Sequence, residues 1–321
     1  MKVAFLINGI AKHKEVILSE VRKKCQSLFE YGIYESTYRG HLERMATEVV
    51  GKGYDHLISI GGDGTLNEVL NGVVASFEYA TRHHEDIEMR YDWKGLSNIK
   101  IGMYPAGTGN DFARTTKSKP NIDFITSLIT KGQHRLTDIG WSSFRNIEQT
   151  NVSERFYINI ADIGMGGEAA WRINEKRSSR LLGPRLIYHQ AVLHTFFTYK
   201  KKAVRCFNDH FEWSGKVMSV VAANGNYFGG GLGIAPHANT TSGQLGVVIL
   251  GDVSVWDYVK HLRTIQKCQK VVHPEISYYL FDRFSIDSLE QSMPIDMDGE
   301  LVGYTPVHFC KLREKVAFLQ G

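Results

Sequence analysis

One recurring unit constrains this chain more than any other feature: a short apolar run, a cluster of glycines, then a helix-forming segment. It is clearest at Asp55-His56-Leu57-Ile58-Ser59-Ile60, which runs directly into Gly61-Gly62-Asp63-Gly64. Apolar residues then recur at helical spacing as Leu66, Val69, Leu70, Val73 and Val74. A strand that passes into a helix through glycine requires a backbone free to turn, and it leaves room for a ligand against the main chain. The same passage recurs after Ile99–Tyr104, at Gly107 and Gly109. An earlier apolar run, Lys2–Asn8, ends at Gly9, and a helical pattern occupies 14–30. A second strand is expected over Tyr31–Tyr38 and another helix over 41–52. Strands alternating with helices predict a doubly wound, Rossmann-like α/β domain with a mostly parallel sheet.

After about residue 135 the pattern changes. Phe156–Ile160, Val217–Ala223, Leu245–Leu250, Tyr278–Ile286, Val307–Cys310 and Val316–Leu319 are short β-type runs between turn residues. One long helical segment, near Arg185–Tyr199, interrupts them. The expected organisation is an α/β domain over 1–135 and an all-β, sandwich-like domain over 136–321. Residues 78–98 are polar and charged and are expected to form a surface insertion.

Composition removes several classes. The chain has 321 residues, 43% hydrophobic and 22% charged, an ordinary balance for a folded protein. No apolar window reaches the roughly 18 residues that a spanning helix needs. The opening apolar run is too short for a secretory leader and reads as a buried strand. The four cysteines are widely separated, with no metal-binding spacing, as suits a reducing, cytoplasmic setting. A formal net charge of +4 does not suggest nucleic acid as a partner.

Of the 31 glycines, 14 fall in four short windows: 61–64, 102–109, 164–167 and 225–233. Where a helix follows, its free N–H groups and dipole favour an anion, phosphate above all. In the first window Asp63 is a candidate Mg²⁺ ligand, and Thr65 and Asn67 are candidate phosphate contacts. No Gly-Lys-Ser/Thr follows, and the dinucleotide Gly-x-Gly-x-x-Gly spacing is missing, so neither of those loops is present. Near the C-terminus Asp296, Asp298 and Glu300 alternate, and on an extended segment they would share one face. Carboxylates so grouped repel and call for a cation or a raised pKa.

Gly61-Gly62-Asp63-Gly64-Thr65 after a strand resembles the nucleotide loop of the superfamily of diacylglycerol kinases, sphingosine kinases, NAD kinases and phosphofructokinases. Pro105-Ala106-Gly107-Thr108-Gly109-Asn110-Asp111-Phe112-Ala113-Arg114 resembles, more narrowly, the diacylglycerol kinase catalytic domain and its bacterial soluble relatives. Asp162-Ile163-Gly164, Asn224-Gly225 with Gly229-Gly230-Gly231, and Asp298-Gly299-Glu300 extend the resemblance along most of the chain. The resemblance implies an ATP- and Mg²⁺-dependent lipid kinase. Its nucleotide site would comprise Asn8, Gly9, Thr37, Gly61, Gly62, Asp63, Gly64, Thr65, Asn67, Glu68, Gly107, Thr108, Gly109, Asn110 and Asp111. Asp63 and Asp111 would hold the metal. Glu300 would take the proton of the lipid hydroxyl, with Asp298 and Asp63 completing the catalytic set. The alternatives are an NAD kinase-like enzyme with a soluble substrate, or a non-catalytic nucleotide- or lipid-binding relative. Ser242 stands where bacterial relatives often place a metal-binding Asp, and a hydroxyl is a poor ligand for a hard cation beside a carboxylate.

A lipid substrate implies peripheral contact with a membrane. The segment 172–205 holds nine Lys or Arg against one acid, a net +8. It also contains an apolar helical stripe (Leu186, Ile187, Val192, Leu193, Phe196, Phe197). The charges suit anionic lipid. The stripe is expected to pack on the β domain.

Overall fold

A computed structural model describes residues 1–79, 87–176, 194–195 and 197–321. The chain forms two compact units, the first from residues 1–139 and 312–321, the second from 140–311. The sequence patterns place a single change near 135. They do not anticipate that the last ten residues return to the first unit.

Five elements open the first unit in strict alternation: β1 (Lys2–Ile7), α1 (Lys14–Cys25), β2 (Glu30–Glu35), α2 (His41–Gly51) and β3 (His56–Gly61). α3 (Asp63–Ala75), β4 (Lys100–Pro105), α4 (Asp111–Thr116) and α5 (Ile122–Thr130) follow. β1 pairs in parallel with β2 on one side and β3 on the other, and β3 pairs in parallel with β4. Val3–Ile7 are entirely buried, as a parallel strand covered on both faces requires. α1 sets Ile17, Leu18, Val21 and Cys25 into the core with Phe5, Ile58 and Ile60. α5, which the sequence patterns miss, adds Ile122, Ile125, Leu128 and Ile129 to the same core. α2 and α3 lie close enough that Thr47 Oγ1 donates to Gly72 O at 2.8 Å. A Cβ at Gly72 would fall 2.0 Å from Glu43 O, so only glycine fits there.

The order β2-β1-β3-β4 reverses direction at β1. Crevices beyond the carboxyl ends of strands at such a reversal are where open α/β sheets bind ligands. Here the reversal puts the loops after β1 and β3 side by side.

The second unit is antiparallel. β5 (His134–Arg145), which begins in the first unit, pairs with β6 (Val152–Tyr157). β7 (Ile160–Gly164) leads into α6 (Met165–Lys176), followed by β8 (Lys202–Asn208), β9 (Phe211–Val217), β10 (Ser219–Ala223) and β11 (Leu245–Leu250). α7 (Val255–Gln266) precedes β12 (Ile276–Phe281), β13 (Arg283–Ser288), β14 (Pro294–Met297) and β15 (Glu300–Leu319). One run of pairings is β12-β11-β10-β7-β14, and another joins β9, β8 and β13. Tyr157, Ile163, Val220, Val247, Phe284, Ile295 and Phe309 are among the side chains of its buried core.

Two expectations about strands need correction. Tyr278–Ile286 is two strands, because β12 pairs with β11 whereas β13 pairs with β15 and β8. The runs 307–310 and 316–319 belong to one strand of 20 residues, β15. Its burial alternates through Leu301, Gly303, Thr305, Val307 and Phe309, so the charged stretch Lys311–Lys315 hides its continuity from a search for apolar runs. The end of β15 pairs Ala317 and Phe318 in parallel with Lys100 and Ile101 of β4, which returns the C-terminus to the first unit. The helical segment expected near Arg185–Tyr199 lies for the most part outside the described residues, as do residues 80–86 of the expected insertion. Among the described residues no helix is long and apolar enough to cross a membrane.

Candidate active site

The two glycine motifs of the first unit form one module. Gly61 O accepts the N–H groups of Ala106 and Gly107 at 2.8 and 3.1 Å. A Cβ on Gly107 would lie 2.4 Å from Gly62 Cα, so backbone presses on backbone. The glycines at these two positions are therefore fixed by contact between the loops. Asn110 closes the second loop from a left-handed backbone (φ 54°). Its Oδ1 accepts Gly107 N–H and its Nδ2 donates to Gly107 O, both at 2.9 Å. Gly107 and Thr108 stay exposed at the tip.

Asp63 bridges the motifs. Oδ2 accepts Asp111 N–H and Oδ1 accepts Phe112 N–H, each at 2.9 Å, so Asp63 caps α4 from the start of α3. Burial raises the Asp63 carboxyl above the usual range, and these amides draw it part of the way back. α3 itself starts differently. Its N-cap is Gly62, which has no side chain, and no side chain caps the helix. The first turn of this 13-residue helix thus points free N–H groups and the positive end of its dipole out of the loop.

The loop after β1 meets this module. Asn8 N–H donates to Ile60 O at 3.0 Å, and Asn8 Nδ2 donates to Thr65 Oγ1 at 3.2 Å. Gly9 lies against the loop after β2, where a Cβ would fall 2.2 Å from Ser36 O, and its N–H donates to Ser36 Oγ at 3.1 Å. Thr37 Oγ1 lies 3.2 Å from His41 Nδ1.

Two residues of the expected nucleotide site point elsewhere. Glu68 accepts the N–H groups of Gly40 and Leu42 at 2.9 and 3.1 Å and so caps α2, whose own N-cap is a glycine. Asn67 is fully buried, and Asn71 Nδ2 donates to its Oδ1 at 3.2 Å. Both sit in the first two turns of α3, where a motif read as a string does not distinguish the face toward the loop from the face toward α2.

In the second unit the acidic motif is a turn, not an extended segment. Asp298 (φ 50°) and Gly299 (φ 88°) form a two-residue hairpin between β14 and β15, closed by the pair Met297 and Glu300. Asp298 is 3% exposed, and its carboxylate accepts three backbone N–H groups, from Ile158, Asn159 and Ile160, at 3.0–3.1 Å. Asp298 thus ties the hairpin to the start of β7 through its carboxylate. Glu300, one step past the turn, is half-buried.

Behind the hairpin lies a carboxyl group absent from the expected site. Asp162, on β7, is 1% exposed and stands opposite Asp296 of β14. Ser219 Oγ and Gly166 N–H donate to Asp162 Oδ1 at 3.1 and 3.0 Å. Burial pushes Asp162 up to about 7. Burial, then the charges of Asp162, Glu300 and Asp298, holds Asp296 well above the carboxylate range. The sequence signal for Asp162 was an Asp inside an otherwise apolar strand that runs straight into a glycine cluster.

Among the described residues no three His, Cys, Asp or Glu side chains converge to hold a metal. Two carboxylates do meet where the two glycine loops join. A Cβ on Gly109 would lie 3.2 Å from Asp111 Oδ2 and 3.4 Å from Asp63 Oδ2. Mg²⁺ in nucleotide sites is commonly held by one or two carboxylates together with substrate phosphates, and this pair fits that mode rather than a dedicated cage.

Known proteins share this architecture. Residues 2–142 match the diacylglycerol kinase catalytic domain, and residues 160–318 match the YegS C-terminal NAD kinase beta sandwich-like domain. A diacylglycerol kinase of Staphylococcus carnosus is 26% identical over 94% of this chain and 88% of its own length. A crystal structure of a diacylglycerol kinase from Bacillus anthracis is similar with a TM-score of 0.67 and 18% identity, covering 100% of this chain and 97% of that one. Yeast NADH kinase, in complex with NADH, shares the fold more distantly, with a TM-score of 0.55 and 8% identity over 100% of this chain and 83% of that one.

Proposed function

Because the chain belongs to the diacylglycerol kinase catalytic-domain family, we propose that it transfers the γ-phosphoryl group of ATP to the hydroxyl of a lipid. The observation that carries this reading is the junction of two glycine loops at the open start of α3. Backbone N–H groups and a helix dipole there await an anion, with Asp63 and Asp111 beside them.

Phosphoryl transfer depends mainly on positioning and on neutralising charge. The α3 N-terminus and the tip at Gly107 and Thr108 would hold the phosphates of ATP. Asn8, tied to Thr65, would fix the loop that borders them. Asp63 and Asp111 would hold Mg²⁺, which when bound neutralises charge on the phosphates. The bond that forms joins the lipid oxygen to the γ-phosphorus, and the bond that breaks is the one between that phosphorus and the β–γ bridging oxygen, so ADP leaves. The hydroxyl proton goes to the Glu300 carboxylate. Asp298 holds the hairpin that carries Glu300, and the Asp162–Asp296 pair keeps a proton behind it.

Diacylglycerol is the first acceptor to test, because similar proteins are diacylglycerol kinases, and its product would be a phosphatidic acid of phospholipid metabolism. The experiment is incubation with γ-labelled ATP and Mg²⁺ against diacylglycerol, other lipid alcohols, a sphingoid base and NAD, all in detergent micelles. Label in a lipid supports the reading. Label in NAD alone would replace it with a soluble-substrate kinase.

A further inference from the structure

The outward face of α7 is partly apolar and strongly basic. At about 100° per residue, Trp256, Val259, Lys260, Arg263 and Lys267 fall within one arc of about 100°, opposite the buried Ile265. Trp256 is 80% exposed and Val259 54% exposed. Just beyond the helix Val272 is 93% exposed, with Lys270 exposed beside it.

No acid offsets these cations locally. The sequence from Tyr258 to Pro274 contains none. Asp257, the one acid of the helix, is turned into its start. It accepts from Ser254 N–H and Ser254 Oγ at 2.8 and 2.7 Å and lies 3.5 Å from His273. Lys260, Arg263 and Lys267 form no ion pair among the described residues. In the segment 172–205, richer in charge, part of the charge is already paired. Arg172 pairs with Glu168, Lys201 with Asp252 and Arg205 with Glu212.

An exposed tryptophan flanked by aliphatic side chains and unpaired cations has the chemistry of an interfacial helix. Indole prefers the headgroup level, and Lys and Arg meet the negative surface. We propose that the outward face of α7, together with Val272, lies on the anionic surface of a lipid bilayer. Trp256 sits among the headgroups, and Lys260, Arg263 and Lys267 face lipid phosphates. This inference rests on the lipid-kinase reading, which gives the molecule a reason to meet a bilayer, but it locates the contact in a place that neither that reading nor the charge count of the sequence selects.

The test uses the full chain and vesicles of phosphatidylglycerol and phosphatidylcholine carrying brominated acyl chains. Trp256 fluorescence should shift to shorter wavelength and be quenched, and Trp256→Phe should abolish that quenching although Trp93, Trp141, Trp171 and Trp213 remain. Changing Lys260, Arg263 and Lys267 together to Glu should weaken vesicle binding on the order of 100-fold. Phosphorylation of a lipid acceptor in detergent micelles should be retained in both variants. Quenching that survives Trp256→Phe, or vesicle binding that survives the triple change, overturns the proposal. So does a blue shift that grows with protein concentration in the absence of vesicles, which would assign the face to a second copy of the chain. If α7 binds vesicles as described and no lipid is phosphorylated in micelles, the surface stands and the kinase reading falls. If phosphorylation proceeds and α7 stays away from the vesicle, the reverse holds.

Discussion

Asp162 and Asp296 stand directly opposite one another across the antiparallel pair β7 and β14. One carboxyl oxygen of each, Asp162 Oδ2 and Asp296 Oδ1, is buried and has no hydrogen-bond partner among the described residues. Opposed residues share a face with Cβ atoms about 5 Å apart. Two carboxylates so placed resist double ionisation, and the pair titrates as a unit.

The consequence for stability has a definite sign. Burial raises Asp162 to about 7 in the folded chain, well above the roughly 3.9 of an unfolded one. The folded state therefore holds more protons between these values, and stability falls as pH rises from about 4 through 7. Asp162→Asn keeps an acceptor for Ser219 and Gly166 and places an amide donor toward Asp296. Its Tm relative to the parent chain should improve steadily between pH 5 and pH 8, by a few degrees in all. A constant difference across that range would mean that Asp162 is already ionised.

Gly107→Ala should disrupt nucleotide binding. Its Cβ would meet Gly62 Cα at 2.4 Å, backbone against backbone, and the loops would separate. A loss of at least tenfold in ATP affinity is expected by isothermal titration. Gly51→Ala, with nothing within 4 Å of its Cβ, should leave both affinity and stability within about 0.5 kcal/mol.

Much of this was legible before the fold. The alternation of apolar runs and helices gives the parallel sheet, and the two glycine strings select the loops that the fold brings together. Directions within those strings were not legible. Asn67 and Glu68 follow Thr65 without a break, yet one turns into the core and the other caps α2. Asp298 reads as an active-site acid, and only the turn at 298–299 reveals the three amides that occupy it. Asp162 and Asp296 are 134 residues apart in sequence, and no local pattern pairs them. A continuous β15 was hidden for a related reason, since charged side chains interrupt the apolar run without ending the strand.

Glu68→Ala separates capping from ligand binding. Removing an acceptor shared by two α2 amides should cost about 1 kcal/mol in urea denaturation. ATP affinity should change less than twofold. A large loss of affinity at unchanged stability would return Glu68 to the nucleotide site.

Asp63→Ala removes the acceptor of both amides that start α4. Unfolding free energy should drop by about 1–3 kcal/mol, and ATP binding should weaken along with it, because one side chain holds the two loops together. Asp63→Asn, which keeps one acceptor oxygen, should lose less stability than the alanine variant.

The most direct measurement follows label from γ-labelled ATP into lipid extracted from a micellar assay, with the parent chain and Glu300→Gln side by side. The account predicts a labelled lipid phosphomonoester from the parent chain. It predicts turnover lower by about 10²–10⁴ in Glu300→Gln, with ATP affinity unchanged. Unlabelled lipid throughout the panel, or full turnover in Glu300→Gln, would contradict it.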